Sequence, residues 1–451
     1  MRVLVCGATG CIGHAVVHAL RARNHQVVEA ARGLPDGART LPVDFMQEQA
    51  PHDWARLLAA RRIDAVINCV GILMQRAGQT FERVHVRGPS ELFKGAALAG
   101  VHRVVQVSAL GVRDEASAHG VPYLLSKLQA DDMLASLPME SAVLRPSLVY
   151  GPGSASAALF ATLASLPVIS IPGRGAQPVQ PIHVYEVAEA VVQLLERSEP
   201  LAPGKMFELG GPQPVTYRQM LTAYRHAMGL GDVLWLPLPM ALMMLGAACA
   251  EWLPQKVFSR DTLRLLERGN TTAANAAPGL LGRAPTPLQE GLAITPPQPA
   301  LDLQVTLSPV MDRLLRLALA AMWMSTALVS LGWPQASGVL HLLERCGFPG
   351  SAGVAVMLAS CGLNLALGAA VLLRPAPATY ALQMAAVLGY TLTAAVNMPE
   401  LTLDHCGPLV KNLPVLALLL ALWCAHGRQG AGAVQARGLP RVGAPLQGAG
   451  S

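Results

Sequence analysis

Between residues 314 and 425 the chain is written in long apolar blocks broken by isolated charges, and no other feature restricts its fold as much. The blocks 314–333, 352–373 and 379–398 hold twenty, twenty-two and twenty residues. At a helical rise of about 1.5 Å per residue, each is long enough to cross a hydrocarbon core of about 30 Å. Block 408–425 is weaker, because Lys411 and Asn412 stand near its start. Four spans return the chain to the side on which it began. Composition agrees, with 52% of residues apolar and 14% charged, too greasy for a chain that meets only water. Residues 1–300 carry ordinary charge, so the principal boundary falls between the two halves.

Charge sets the expected orientation. With residues 1–300 in the cytoplasm, Arg313, Arg316, Arg374, Arg428, Arg437 and Arg441 fall on the cytoplasmic face, and only Arg345 and Lys411 fall near the other. That distribution satisfies the positive-inside rule. The opening MRVLVCGATG has too short an apolar run before its glycines for a signal peptide. The net charge of +6 is scattered, with no basic stripe among aromatics, which argues against nucleic acid as a partner. Eight cysteines form no C-x-x-C pair and no Cys/His metal spacing, so no metal is expected. In this topology Cys346 and Cys406 lie in loops on an oxidising side, where a disulfide stays open. Residues 298–308 read as a linker, and 428–451, rich in Gly and Ala, as a disordered tail.

The segment RVLVCGATGCIGHAVVHALRARNHQVVEAAR reads as a buried strand, a glycine turn, an amphipathic helix over 11–22 and a second strand. In its G-x-x-G-x-x-G turn, Gly7, Gly10 and Gly13 let the backbone approach a pyrophosphate, whose charge meets the N–H groups at the helix start. The second strand ends at Ala31-Arg32, where an NAD-selective site shows an acid. Arg32 suits a 2′-phosphate instead, which favours NADP(H) over NAD(H), unless it is surface decoration. Further strands follow: RTLPVDF ending near Asp44, DAVINCVG ending at Gly71, RVVQVSALG through Ser108 and ESAVLRPSLVYG through Arg145. Helices separate them. The alternation predicts an α/β doubly wound parallel sheet with its ligand at the carboxyl ends of the strands.

The stretch PYLLSK completes a candidate site. Tyr123 and Lys127 are four apart, so a helix places phenol and ammonium on one face. A phenol with an ordinary pKa of about 10 is a poor base until a neighbouring cation stabilises the phenolate. Lys127 is expected to supply that charge and to hold the nicotinamide ribose, while Ser108 hydrogen-bonds the substrate oxygen as Tyr123 exchanges its proton. Taken singly, Tyr123 reads as a half-buried aromatic and Ser108 as a strand-end cap.

LWLPLPMALMMLGAACAEWLP, 234–254, stands apart. Pro237 and Pro239 leave an uninterrupted helix over Met240–Trp252, about 20 Å long and too short to cross about 30 Å. Its surface is apolar all round. Three readings stay open: a buried helix of the substrate region, a helix dipping into the bilayer surface or lining a lipophilic pocket, and a true span.

Across about 1–295 the motifs GATGCIG, VSALG, YLLSK, RPSLVYGPG, PIHVYEVAEAV and FELGGPQPVTYRQML resemble the short-chain dehydrogenase/reductases of the atypical or extended kind. The resemblance points to the branch holding the nucleotide-binding accessory subunit of respiratory complex I and its bacterial relatives. It implies a Rossmann core over 1–150 and a substrate subdomain over 151–297. It also implies that Gly7, Thr9, Gly10, Cys11, Ile12, Gly13 and Arg32 hold the diphosphate and adenosine half of the cofactor, and Asp44 its adenine. Asn68, Val70, Gly71 and Lys127 would line the ribose, and Pro146 to Val149 the carboxamide. CGPLVKNLP, 406–414, resembles the signature of DoxX-like four-helix membrane modules, a likeness that covers 309–427. Lys411 is then a functional intramembrane cation or a snorkelling one, and His405 a loop residue.

These readings imply a membrane-anchored NAD(P)H-dependent oxidoreductase acting on a carbonyl or hydroxyl of a lipophilic molecule. Its partners are the lipid bilayer, that molecule and other membrane proteins. Its place is a bacterial-type inner membrane, with nucleotide domain and C-terminus cytoplasmic. Because the branch includes members that bind NADPH without turnover, a structural or assembly protein of a membrane complex is the alternative. A transporter gated by cofactor, resting on Lys411, comes third.

Overall fold

In a computed structural model of the chain the described residues are 1–75, 78–112, 120–166, 168–251, 257–298, 309–334, 338–399 and 409–438. They form two compact units that divide near residue 301.

Six strands open the first unit: β1 (Arg2–Cys6), β2 (Gln26–Ala31), β3 (Thr40–Pro42), β4 (Ala65–Asn68), β5 (Arg103–Val107) and β6 (Glu140–Pro146). Four short ones follow, β7 (Val149–Tyr150), β8 (Val168–Pro172), β9 (Pro178–Val179) and β10 (Ile182–His183), then β11 (Lys205–Leu209), β12 (Val215–Thr216) and β13 (Leu234–Leu238). A seven-stranded sheet runs β11-β6-β5-β4-β1-β2-β3 with every pair parallel. The remaining strands pair as β10–β7, β12–β9 and β13–β8. The order reverses between β1 and β4, which opens a crevice at their carboxyl ends.

The strands are mostly apolar, as a sheet covered on both faces requires. Val3 and Val5 pack with Val16 and Leu20 of the helix Cys11–Ala22 and with Val187 and Val191 of the helix Val184–Glu196. Leu4 and Cys6 face the other way, toward Trp54 and Leu58 of Pro51–Ala60 and Leu92 and Phe93 of Gly88–Leu98. Arg103, buried at the start of β5, joins these layers. It donates to the Leu194 and Arg197 carbonyls, both at 2.8 Å, and to Glu140 Oε2 at 3.0 Å. One guanidinium thereby satisfies carbonyls orphaned at the end of Val184–Glu196. Because β11 and that helix lie beyond residue 150, residues 1–150 do not complete the sheet and its cover by themselves.

The second unit is helical: Pro309–Gly332, Gly350–Leu373, Pro377–Asn397 and Asn412–Gly438, with a short helix Val339–Arg345. Trp323, Leu367, Tyr380 and Leu419, one from each long helix, share a core. Three segments, Met311–Gly332, Gly350–Leu373 and Pro377–Asn397, are long and apolar enough to cross a membrane. The fourth differs from expectation. Among the described residues its apolar part is Asn412–Trp423, and residues 409–411 ahead of it form a turn in which Lys411 is exposed. The helix then continues to Gly438, past residue 427 where a disordered tail was expected to begin. Among the described residues Cys346 pairs with no other cysteine. Outside the described residues lie His405, Cys406, tail residues 439–451 and all of the expected linker except Gln298.

Candidate functional site

After β1 the chain turns at Gly7, whose φ of +78° suits glycine and whose added Cβ would stand 3.0 Å from the Cys69 carbonyl carbon. Gly10 N–H donates to Gly7 O at 2.9 Å. A Cβ on Gly13 would lie 2.1 Å from that same oxygen, so the helix can start this close only on glycine. Gly10 is its N-cap, and no side chain caps it. The N–H groups of Cys11, Ile12 and Gly13 therefore lack intrahelical partners and face the crevice end, a cradle that fits a dinucleotide diphosphate. Thr9 lies in the same turn, and Cys11 Sγ donates to Pro152 O at 3.3 Å. Arg32 follows β2 and is exposed. Asp44, half-buried beyond β3, accepts the Met46 N–H at 3.0 Å.

The ends of β4 and β5 carry the other half. Asn68 is fully buried; it donates to Gln106 Oε1 at 2.8 Å and accepts the Val70 N–H at 3.2 Å. The helix Pro122–Ala135 brings Lys127 to them, its Nζ donating to Val107 O at 3.3 Å and Val70 O at 3.4 Å, beside Gly71. Burial lowers the Lys127 pKa to about 8, with Asp131 and Cys69 opposing. Pro146 ends β6, its carbonyl accepting the Leu110 N–H at 3.0 Å, and Val149 opens β7.

Tyr123 is half-buried, with its ring against Phe81 and His85 at centroid distances of 5.9 and 5.6 Å. Burial, then the Asp131 carboxylate, pushes its phenol up to about 12. Both causes favour the protonated phenol over the phenolate. The Lys127 ammonium turns to the Val70 and Val107 carbonyls, while burial and the Asp131 carboxylate keep the Tyr123 phenol protonated. Ser108 has a partner within the protein. Its hydroxyl donates to Asp131 Oδ2 at 2.8 Å, an oxygen that also receives Arg145 Nη2 at 2.9 Å and Nε at 3.1 Å. All three side chains are buried. Burial raises the Asp131 pKa to about 6 against the pull of Arg145 and Ser108.

The sequence reading overlooked Asp131, although Tyr123, Lys127 and Asp131 repeat every four residues on one helical face. It also overlooked His85, which sits in a π-helical turn, Glu82–Arg87. Ile72 N–H donates to its Nε2 at 2.9 Å, so Nδ1 carries the proton and donates to Ser126 Oγ at 2.8 Å. Ser126 Oγ in turn donates to the Tyr123 carbonyl at 2.8 Å. Burial, then Lys127, lowers the His85 pKa to about 2, which leaves Lys127 as the charged member of the pair.

Among the described residues no three His, Cys, Asp or Glu side chains are placed to hold a metal. A cavity of about 470 Å³ is lined by the loop Gly151–Ser154, Tyr224, Leu292 and Thr295 to Gln298, with no charged residue in its wall. The loop 113–119 ahead of Tyr123 lies outside the described residues.

A parallel sheet whose order reverses beside a glycine cradle defines an NAD(P)-binding protein of the Rossmann class. Residues 3–210 match the NAD dependent epimerase/dehydratase family, and residues 320–420 match the DoxX-like family. The chain thus joins an epimerase-type NAD-binding domain, like that of the short-chain dehydrogenase/reductases, to a C-terminal DoxX-like domain. It is 28% identical over 279 residues to 3-diazoavenalumate denitrifying reductase of a Streptomyces species, covering 54% of this chain and 88% of the relative. To NADH dehydrogenase (ubiquinone) 1 alpha subcomplex subunit 9 of Arabidopsis thaliana mitochondria it is 28% identical, covering 48% and 55%. To ceramide reductase of Caulobacter vibrioides it is 27% identical, covering 42% and 59%.

Proposed function

We propose that this chain is a membrane-anchored oxidoreductase that prefers NADP(H) and acts on a carbonyl or hydroxyl group of a lipophilic molecule. The observation that carries the reading is Lys127, buried one helical turn after Tyr123 and bonded to the carbonyls at the ends of β4 and β5. When bound, the reduced nicotinamide supplies a hydride to the carbonyl carbon. Tyr123, protonated at neutral pH, gives its proton to the carbonyl oxygen as that oxygen gains charge. Lys127 orients the ribose, and Arg32, exposed beyond β2, meets a 2′-phosphate. The membrane helices and the similarity to a ceramide reductase support an apolar substrate. Arg313, Arg316 and Arg374 at one end of the spans support a cytoplasmic nucleotide domain in a bacterial-type inner membrane.

One observation favours a second reading, in which the chain holds NADPH as a structural ligand within a membrane assembly. The hydroxyl of Ser108 donates to Asp131, a partner that competes with any substrate oxygen for its hydrogen. Similarity to a complex I subunit supports the same reading.

The test uses the purified chain in mild detergent, with NADPH and fractions of a bacterial lipid extract. Tyr123→Phe is expected to keep NADPH affinity within about twofold and to lose roughly a hundredfold in NADPH oxidation. Oxidation that survives the substitution removes Tyr123 from the mechanism. Retained NADPH that no fraction oxidises establishes the holding role.

A further inference from the structure

The segment 234–250 was open to three readings, and the structure removes the buried one. Leu234 and Leu236 of β13 are 63% and 44% exposed, and Leu242 and Leu245 of the helix Met240–Ala250 are 53% and 63% exposed. Of helix residues 241–248 only Ala247 is buried. MALMMLGAACA has no polar side, and a helix apolar all round belongs in a core or in lipid. Eleven residues reach about 16 Å, so this helix does not cross a hydrocarbon core of about 30 Å.

We propose that β13 and the helix Met240–Ala250 dock into the surface of the bilayer that the chain's own spanning helices occupy, with the helix along the membrane plane. Three observations commit the surface to lipid. The spans place a bilayer in the same molecule, and the ten residues 299–308 reach at most about 35 Å. No charged residue stands between Asp232 and Glu251, and Glu251 is held by Arg260 at 3.0 Å, so zwitterionic lipid suffices. Apolar character on every side suits acyl chains around the helix better than a protein that covers one face. This docking does not depend on the role of Tyr123.

The test places the full chain in phosphatidylcholine vesicles containing a phosphatidylcholine with a diazirine in its acyl chain. After illumination, adducts are mapped by mass spectrometry. Adducts are expected on 234–250 as well as on the spanning helices, with equal yield at high salt and with added phosphatidylglycerol. In the double variant Leu242→Asp/Leu245→Asp those on 234–250 should fall at least tenfold, while bundle adducts and NADPH binding persist. Both leucines are exposed, so the core is untouched. Adducts confined to the bundle overturn the proposal, as does a yield that depends on anionic lipid. Protein–protein cross-links joining 234–250 of two copies, in place of lipid adducts, overturn it in favour of a second copy.

Discussion

The two units bury polar side chains to different ends. In the α/β unit, Asn68, Gln106, Ser108, Lys127, Asp131 and Arg145 are all buried, and they gather where β4, β5 and β6 end. In the bundle, buried polar groups tie one helix to another: Gln383 Nε2 donates to Leu367 O at 3.0 Å, and Tyr390 Oη donates to Asn364 Oδ1 at 3.3 Å. Parallel strands deliver their ends to one edge, so polar groups cluster where a ligand meets the sheet. Helices in lipid have no such edge, and their polar groups serve association. Polar groups buried at the strand ends thus point to ligand chemistry, whereas those in the bundle, like Arg103 at the start of β5, point to packing.

The largest expected effects test this with glycines. In Gly13→Ala the new methyl meets Gly7 O at 2.1 Å, backbone against backbone, with no rotamer to relieve it. NADPH affinity is expected to fall more than about a hundredfold, and stability by about 3 kcal/mol. In the bundle, a methyl on Gly362 has nothing within 4 Å, and Gly362→Ala is expected to gain up to about 1 kcal/mol from helix propensity. NADPH fluorescence titration and thermal unfolding in detergent read both. Equal losses at the two positions break the contrast.

What the sequence disclosed follows the same division. The Gly7–Gly10–Gly13 cradle and the Tyr123–Lys127 pair were legible because each needs only one turn or one helix to form. Asp131 with Arg145 was not, since the pair is made only when the helix folds back on β6. His85 was hidden further, because its contact with Ser126 bridges 41 positions and nothing local marks the π-helical turn that carries it. The phenol's pKa had to wait for burial, which composition does not report. Span lengths were legible in the bundle, yet the fourth helix began later than its apolar block and ran further. For Met240–Ala250, the composition fits a core helix and a lipid-facing one equally, and only exposure separates them.

A smaller effect concerns the cation in the site. The folded-state pKa of Lys127, about 8, lies below its ordinary value of 10.5. Between those pH values the unfolded chain holds more protons, so Lys127 makes the folded state more stable as pH rises through that window. Cofactor affinity moves oppositely, because an anionic dinucleotide favours the ammonium. NADPH affinity is therefore expected to weaken as pH rises above about 8. Lys127→Met should bind about tenfold more weakly at pH 7, the scale of one charged hydrogen bond, and lose the dependence near pH 8. An unchanged slope in that variant assigns the titration elsewhere.

The smallest expected effect probes the bundle's side of the contrast. Gln383 is 0% exposed, and its Oε1 has no partner among the described residues although its Nε2 is bonded. Gln383→Leu removes one interhelical hydrogen bond, worth about 0.6 kcal/mol in a membrane protein. It also removes an unsatisfied carbonyl, whose burial costs about 1–3 kcal/mol. The net is expected to lie within about 1 kcal/mol of zero or to favour the variant, as read by unfolding in mixed detergent. A loss above about 2 kcal/mol would mean that Oε1 is satisfied in the membrane by a polar group outside the described residues, a bound molecule among the candidates. With a bound molecule there, the bundle would resemble the strand ends of the α/β unit, burying polarity to receive a ligand.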